Sequence, residues 1–433
     1  MQVTDDPLPC DVDCTSAHGD VLNRRCACSV VDVGRVRDTL LSRLQIPHAV
    51  DPHKHAHLFS PYALFVDRAA LTAMGAVAAA LFKVAKNLDY IAHVLRWAPP
   101  IGRHDPNSAG GVLGLDFHLT VAGPRLIEIN TNPGGLLLNA LLLDDVRSCA
   151  PAAWAPWTSR TLACEAALTA WLEDARQQCG RMPARLAVVD VAPREQFLFP
   201  EFELYAQAFQ ERGVDSVIRA PDALSFSPKG LRDAHGQIDA VYNRLTDFAL
   251  ADPASAPLQN AYLKRAIALT PHPRAHALFA DKRNLIALGD SWLLRGWGID
   301  TASTERLVQV IPPTVEVVPG NREALWRNRN GYFFKPASGF GSRGSYRGDK
   351  LTRRVWDSMA LAPYVAQAIV PPGARIVHGD VSLKADVRCF ASESGVLLFA
   401  ARLYQGQTTN MRTPSGGFAA VLTSRAARPD PRG

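Results

Sequence analysis

The sequence predicts a mixed α/β protein with an α+β remainder, and three observations carry that reading. Between Arg185 and Arg244, short apolar strands alternate with a helical stretch, the pattern of a small parallel sheet. Residues 71–94 are alanine-rich and amphipathic, which predicts a helix or a helix pair. Two further stretches, 114–130 and 332–344, read as strands with glycine-rich turns and lie outside the alternating unit. A length of 433 residues leaves room for two or three domains with a large core. A hydrophobic share of 47% with 20% charged residues is ordinary for a water-soluble chain.

Net charge is +6, carried by arginines spread along the chain and not gathered in one block. That balance suits a small anionic substrate and points away from nucleic acid. No apolar run reaches bilayer-spanning length; 136–143 is interrupted by Asn139 and ends at Asp144. The first residues carry acids and no apolar signal-peptide core, so a cytoplasmic protein with no membrane partner is expected. Of the eight cysteines, Cys10, Cys14, Cys26 and Cys28 crowd the start without the paired spacing of zinc sites. Free thiols are expected there and at Cys149, Cys164, Cys179 and Cys389.

Residues up to about Arg35 lack periodicity and read as irregular, and apolar spacing over 33–44 predicts the first helix. His53, His55 and His57 would share one face if extended, but no carboxylate stands among them. They read as a solvated or substrate-facing loop in preference to a metal site. Residues 114–135 read as two strands joined at Ala122-Gly123-Pro124. By the period of two, Ile127 and Ile129 take one face, Glu128 and Asn130 the other, and Asp116 falls nearly opposite Glu128. Two carboxylates and an amide oxygen converging there make a hard-oxygen site suited to Mg²⁺, the alternative being the polar outer face of a hairpin. The Asn-Thr-Asn-Pro-Gly-Gly that follows is costly in a strand and implies a backbone shaped around something.

A helix is expected over 163–178, then strands at 185–190, 215–218 and 238–244 with a helix over 202–212. Residues 332–334 form a short aromatic strand ending at Lys335-Pro336, followed by Gly339, Gly341 and Gly344. Glycines let successive N–H groups turn toward one anion, and a lysine at the strand end adds a point charge to the same phosphate. The spacing is neither the P-loop nor the Rossmann fingerprint. Farther on, Asp386 and Arg388 share a strand face and Arg402 ends the next strand. Two guanidiniums beside a phosphate site can neutralise a transferring phosphoryl group or hold a carboxylate bidentately.

A lysine leading into a glycine-rich loop resembles the ATP-grasp superfamily. The Asp-x(11)-Glu-x-Asn hairpin resembles the magnesium site of eukaryotic-type glutathione synthetases and of glutathionylspermidine synthetase, where it also lies far upstream of the loop. The resemblance continues in order through Tyr242-Asn-Arg244, Ala280-Asp-Lys-Arg-Asn284, Asp386-Val-Arg388, Arg402, Met411-Arg-Thr413 and Gly416-Gly-Phe-Ala-Ala420. It implies an ATP-grasp fold preceded by a small parallel α/β domain. The implied division is an N-terminal region with the hairpin (1–180), a substrate domain (181–280), the nucleotide-binding core (281–425) and a disordered tail (426–433). By the same resemblance Asp116, Glu128 and Asn130 are metal ligands. Lys282, Lys335, Ser338, Gly339, Gly341 and Ser342 would meet the nucleotide, Gln367 and Ile369 lie in the hinge that holds adenine through backbone groups, and Asp386 joins them. Arg388, Arg402 and Arg412 would be the catalytic arginines.

This chain departs from the family pattern at four places: Gly114 stands for an arginine, Ala368 for the hinge glutamate, Ser338 for the glutamate after the loop lysine, and Thr408 for a late metal-binding glutamate. The last leaves Asp386 or Asn410 as a second metal contributor. The implied reaction is ATP- and Mg²⁺-dependent ligation of a small-molecule carboxylate to an amine through an acyl phosphate, and a homodimer is compatible with it. Two other readings stay open: phosphoryl transfer to a non-carboxylate acceptor, and an ATP-binding protein that has lost catalysis.

Overall fold

The computed structural model describes residues 17–26, 28–46, 49–146, 153–339, 341, 343–407 and 413–425. Its largest sheet is assembled from both ends of the chain. The strand order is Leu64–Phe65, Gly417–Ser424, Gly395–Tyr404, Val381–Ser392, Leu113–Thr120, Gly123–Asn130. Trp154–Pro156 adds to Gly417–Ser424, and Gly373–Val377 pairs with Val381–Ser392. The sequence segments 1–180 and 281–425 thus share one sheet, while the strands of 181–280 form sheets of their own.

Alternation in these strands explains the layering. Leu115, Phe117, Val387, Cys389 and Ala401 face a core closed by helix Arg68–Val84 through Leu71, Met74, Val77 and Leu81. Phe390, Leu398, Ala400 and Phe418 face the opposite core, closed by helices Leu136–Leu141 and Arg160–Cys179. On that second face, toward one end, Asp116, Asp386, Arg388 and Arg402 replace the apolar side chains. The helix expected over 71–94 is a pair, Arg68–Val84 and Leu88–Val94, bent by 86° where Asn87 caps the second helix by accepting from the N–H groups of Asp89 and Tyr90. Among the described residues no single helix is long and apolar enough to cross a membrane.

The second sheet is parallel throughout, in the order Ala268–Thr270, Ala240–Asn243, Arg185–Val189, Asp215–Arg219. The chain leaves Arg185–Val189 toward one side through helix Phe199–Glu211 and later returns to the other side at Ala240–Asn243. The crevice beyond the carboxyl ends of those two strands is therefore the point where the winding direction reverses, the place where such sheets bind ligands. A third, antiparallel sheet orders Thr314–Glu316, Tyr364–Ala368, Tyr332–Pro336 and Tyr346–Arg347, backed by Phe334 and Trp356.

One irregular stretch was not irregular. Gly19–Arg25 is a helix, held by tertiary contacts and not by its own periodicity: Asn23 exchanges hydrogen bonds with the backbone of Phe65 at 2.8 and 3.0 Å, and Leu22 is fully buried. The expectations for Cys10, Cys14, Cys149 and the 426–433 tail lie outside the described residues.

Candidate active site

The hairpin Leu113–Thr120 with Gly123–Asn130 supplies the first wall. Asp116, expected nearly opposite Glu128, pairs with it directly; Phe117 pairs with Leu126, so a β-bulge leaves Ile127 as the extra residue and brings Glu128 that last place. The bulge breaks the alternation. Leu126 and Ile129, three apart, both enter the core, while Ile127 joins Glu128 on the cavity side. The expected pairing of Ile127 with Ile129 on one face is corrected accordingly.

Charges on this face hold one another. Arg388 donates to the Asp116 carboxylate through Nε and Nη2 at 2.6 and 2.7 Å. Arg402 Nη2 adds a contact to Asp116 at 2.9 Å, and Asn130 Nδ2 donates to it at 3.1 Å. Arg402 also forks onto Asp386 at 2.7 and 3.1 Å. Both pairs follow from register, since Arg388 lies opposite Asp116 and Asp386 opposite Arg402 on neighbouring strands. Burial pushes the Asp116 carboxyl up, but the two guanidiniums outweigh it and hold it at about 2. Burial works against the Arg402 cation, yet Asp116 and Asp386 raise its pKa. The structure thus places Asp116, expected as a metal ligand, as the counter-ion of two arginines with both oxygens engaged. Arg388, expected at the chemistry, stands behind Asp116, with its Nη1 reaching Gly134 O at 3.3 Å.

Beside this cluster, Lys282 Nζ meets Glu128 Oε1 at 3.1 Å, and Lys335 Nζ donates to Ile127 O at 3.0 Å and Gln367 Oε1 at 2.8 Å. Burial depresses the Lys335 ammonium to about 8, with Glu128 opposing the shift. Burial raises the Glu128 carboxyl, and Lys282 and Lys335 bring it below its ordinary value. These groups line a cavity with Asp116, Asp386 and Arg402. Gly339, Gln367 and Ile369 line it too, as do His118, Arg343 and Tyr404, which the motifs did not flag. Ile369 donates its N–H to Gly331 O at 2.9 Å, so at the expected hinge it has its carbonyl, not its N–H, to offer a base. Ser338 is exposed and outside the lining. Ser342, Arg412, Thr408 and Asn410 lie outside the described residues.

A second cavity shares Glu128 and Gly339 with the first and also takes in Asn130 and Gly341. It opens at the reversal point of the parallel sheet. Asp190 follows strand Arg185–Val189, and Arg244 follows strand Ala240–Asn243; both line it, with Phe197, Leu198, Phe202 and Phe248. Arg244 is 7% exposed. It donates to Asn132 Oδ1 and, at 3.2 Å, to Tyr242 Oη, while its Nε is buried without a partner among the described residues. Burial raises the Asp190 carboxyl to about 6, with Arg244 opposing. The segment 130–135 is gripped from three sides: by Arg244 at Asn132, by Arg388 at Gly134, and by Glu201, which accepts from Gly135 N and Leu137 N at 2.7 and 3.0 Å. A Cβ on Gly134 would lie 2.2 Å from Leu198 Cδ1, so a larger residue there would have to displace that side chain. Sequence reasoning missed this cavity, although Asp190 and Arg244 directly follow two strands it had identified.

His55 is 3% exposed and packs on Phe197, its Nε2 sharing a hydrogen bond with Phe197 O at 2.9 Å, while His53 is exposed; the turn keeps the three histidines from forming one face. Burial raises the thiols of Cys164 (to about 11), Cys179 and Cys389, the opposite of an activated nucleophile. Among the described residues no cluster of three or more His, Cys, Asp or Glu could hold a metal alone. Glu128 and Asn130 nevertheless suit Mg²⁺. Lys282 takes one Glu128 oxygen, and Asn130 spends its amide N–H on Asp116, which leaves one oxygen on each. Mg²⁺ commonly binds one or two protein oxygens and completes its shell with phosphates and water.

No family model and no curated protein matches the chain. Among solved structures, the chain is similar to a glutathione synthetase-like effector from Globodera pallida in its apo form. The TM-score is 0.53 at 12% identity, over 84% of this chain and 89% of that one. Matches also include a putative gamma-glutamylcysteine synthetase from Methylobacillus flagellatus (TM-score 0.47, 11% identity, 78% and 86% covered) and the ATP-grasp ligase PsnB with a minimal precursor (0.33, 16%, 57% and 77%). The glutathione synthetase-like fold implied by the motifs is thus the fold of this chain.

Proposed function

We propose that this protein is an ATP- and Mg²⁺-dependent ligase that joins a carboxylate to an amine through an acyl phosphate. The observation that supports this best is the pair of cavities meeting at Glu128 and Gly339, one rich in lysine and arginine, the other ending in a buried arginine over an apolar wall. In the first, Lys282 and Lys335 neutralise nucleotide phosphates. Glu128 and Asn130 would hold Mg²⁺, which offsets phosphate charge when bound. A substrate carboxylate oxygen attacks the γ-phosphorus, the bond to the bridging oxygen breaks, and ADP leaves. Arg402 lies where it can stabilise the transferring group. The amine then attacks the acyl carbon, phosphate departs, and the nitrogen gives up a proton.

The second cavity would take the substrates, with Arg244 holding an anionic group and the phenylalanines an apolar one. The glutathione synthetase-like fold makes amino acids, short peptides and polyamines the compounds to try first. Release of ADP should require a carboxylate and an amine together, and ¹⁸O placed in the carboxylate should appear in the phosphate. ADP formed with an alcohol alone would indicate phosphoryl transfer instead, and ATP binding without ADP in any pair would indicate a non-catalytic protein.

A further inference from the structure

Behind the second cavity lies a residue that this reaction does not use. His276 opens a π-helical turn, His276–Ala280, between the parallel sheet and Lys282. Such turns insert an extra residue, re-aim side chains and recur at functional sites. The His276 ring, 6% exposed, packs on Phe248 with centroids 4.3 Å apart. Its Nδ1 shares a short hydrogen bond with Thr131 Oγ1, while Nε2 is buried without a partner among the described residues. Thr131 is 1% exposed and directly follows Asn130 at the end of strand Gly123–Asn130. Phe248, Ala280 and Thr131 all line the second cavity. The same turn leads into Lys282, whose N–H donates to Ala337 O at 2.8 Å and whose ammonium meets Glu128. A group that only filled this space could be apolar and would avoid a stranded ring nitrogen. What the imidazole adds is its hold on Thr131.

We propose that His276 is a positioning residue. Through Thr131 it fixes the strand end that carries Glu128 and Asn130, and so sets the affinity for magnesium-bound nucleotide without touching the nucleotide. This rests on the reading that Glu128 and Asn130 hold Mg²⁺. The test uses the full chain and calorimetric Kd values for ATP with Mg²⁺ and for ATP in EDTA, with Tm as a check on folding. His276→Phe keeps a ring on Phe248 and loses both nitrogens, Thr131→Val keeps shape and loses the hydroxyl, and His276→Asn returns a polar group near Nδ1.

His276→Phe and Thr131→Val should each weaken Mg²⁺-ATP binding about 10-fold and leave metal-free ATP binding unchanged. The double variant should be no weaker than either single, and His276→Asn should recover most of the loss. Equal weakening of both ligand forms, multiplying effects in the double variant, or a lowered Tm with unchanged Kd values would overturn the inference. If the unaltered protein bound ATP equally with and without Mg²⁺, the metal reading would fall and this inference with it. A Mg²⁺-sensitive parent with unchanged variants would remove only the role of His276.

Discussion

In the first cavity the charges already hold one another: Lys282 is met by Glu128, Arg402 by Asp116 and Asp386, and Lys335 by Gln367 and the Ile127 carbonyl. In the second, the buried Arg244 forms no ion pair among the described residues, and its neighbours are an Asn, a Tyr hydroxyl and aromatic rings. The contrast separates two tasks. Buried charges that are paired in advance keep their geometry without ligand, and a polyanion enters by exchanging partners with them. A guanidinium whose carboxylates, Asp190 and Glu201, act on it without forming an ion pair keeps its closest contact for an arriving anion, and on the proposed reading it would discriminate between ligands that carry an anionic group and those that do not.

Asp116 is where this contrast is most exposed to test. As the counter-ion of Arg388 and Arg402, it should leave two buried cations underpaired when changed to Asn, lowering unfolding free energy by about 3–5 kcal/mol in denaturant melts. Metal-free ATP should bind more tightly to the same variant, because Arg402 is released. A stable variant that had lost only its Mg²⁺ dependence would instead return Asp116 to the metal. The acid side has a definite sign: with the folded carboxyl at about 2 against 3.8, its contribution is complete above pH 4 and is lost as pH falls toward 2.

Arg244→Ala probes the other cavity. Substrate-dependent ADP release should fall by about 10- to 100-fold, the worth of a charged hydrogen bond, while ATP affinity stays as it was. Loss of both together would mean that the two cavities act as one site. The smallest effect belongs to Lys335, whose folded ammonium titrates near 8 against 10.5. Between those values the unfolded chain binds the extra proton, so folding stability rises with pH, the penalty being complete below 8. ATP binding runs the other way: affinity should be level below pH 8 and decline above it, by at most about 10-fold per unit. Lys335→Arg, charged throughout, should abolish the break in a plot of Kd against pH.

The motifs that could be read along the chain were those whose chemistry is local. A two-residue turn and a period of two bring Asp116 within one place of Glu128, the bulge at Ile127 supplies that last place, and Lys335 with its glycines is contiguous. Three strands of the parallel sheet were visible because 185–189 and 240–243 are compact apolar runs and 215–219 places Val217 and Ile218 just after a helix ending; the fourth, Ala268–Thr270, was not. What stayed hidden depends on long-range pairing. That Arg388 would take Asp116 follows from a register between strands 272 residues apart in sequence. Leu64–Phe65 is two residues long and is a strand only because Gly417–Ser424 lies beside it. The second cavity escaped notice because its ligand-facing groups, Asp190, Phe197 and Arg244, come from separate loops that meet only where the sheet winding reverses.

The extra residue at Ile127 has a consequence for how this chain can vary over time. Substitutions along Gly123–Asn130 alter one side chain each, whereas a single-codon deletion at Ile127 would remove the bulge and leave Glu128 opposite Asp116, since Leu126 already lies opposite Phe117. What would go is the Ile127 carbonyl to which Lys335 Nζ donates, although the lysine itself had not been changed. Lineages that keep this lysine contact must therefore keep the length of this strand, even where they are free to change its letters.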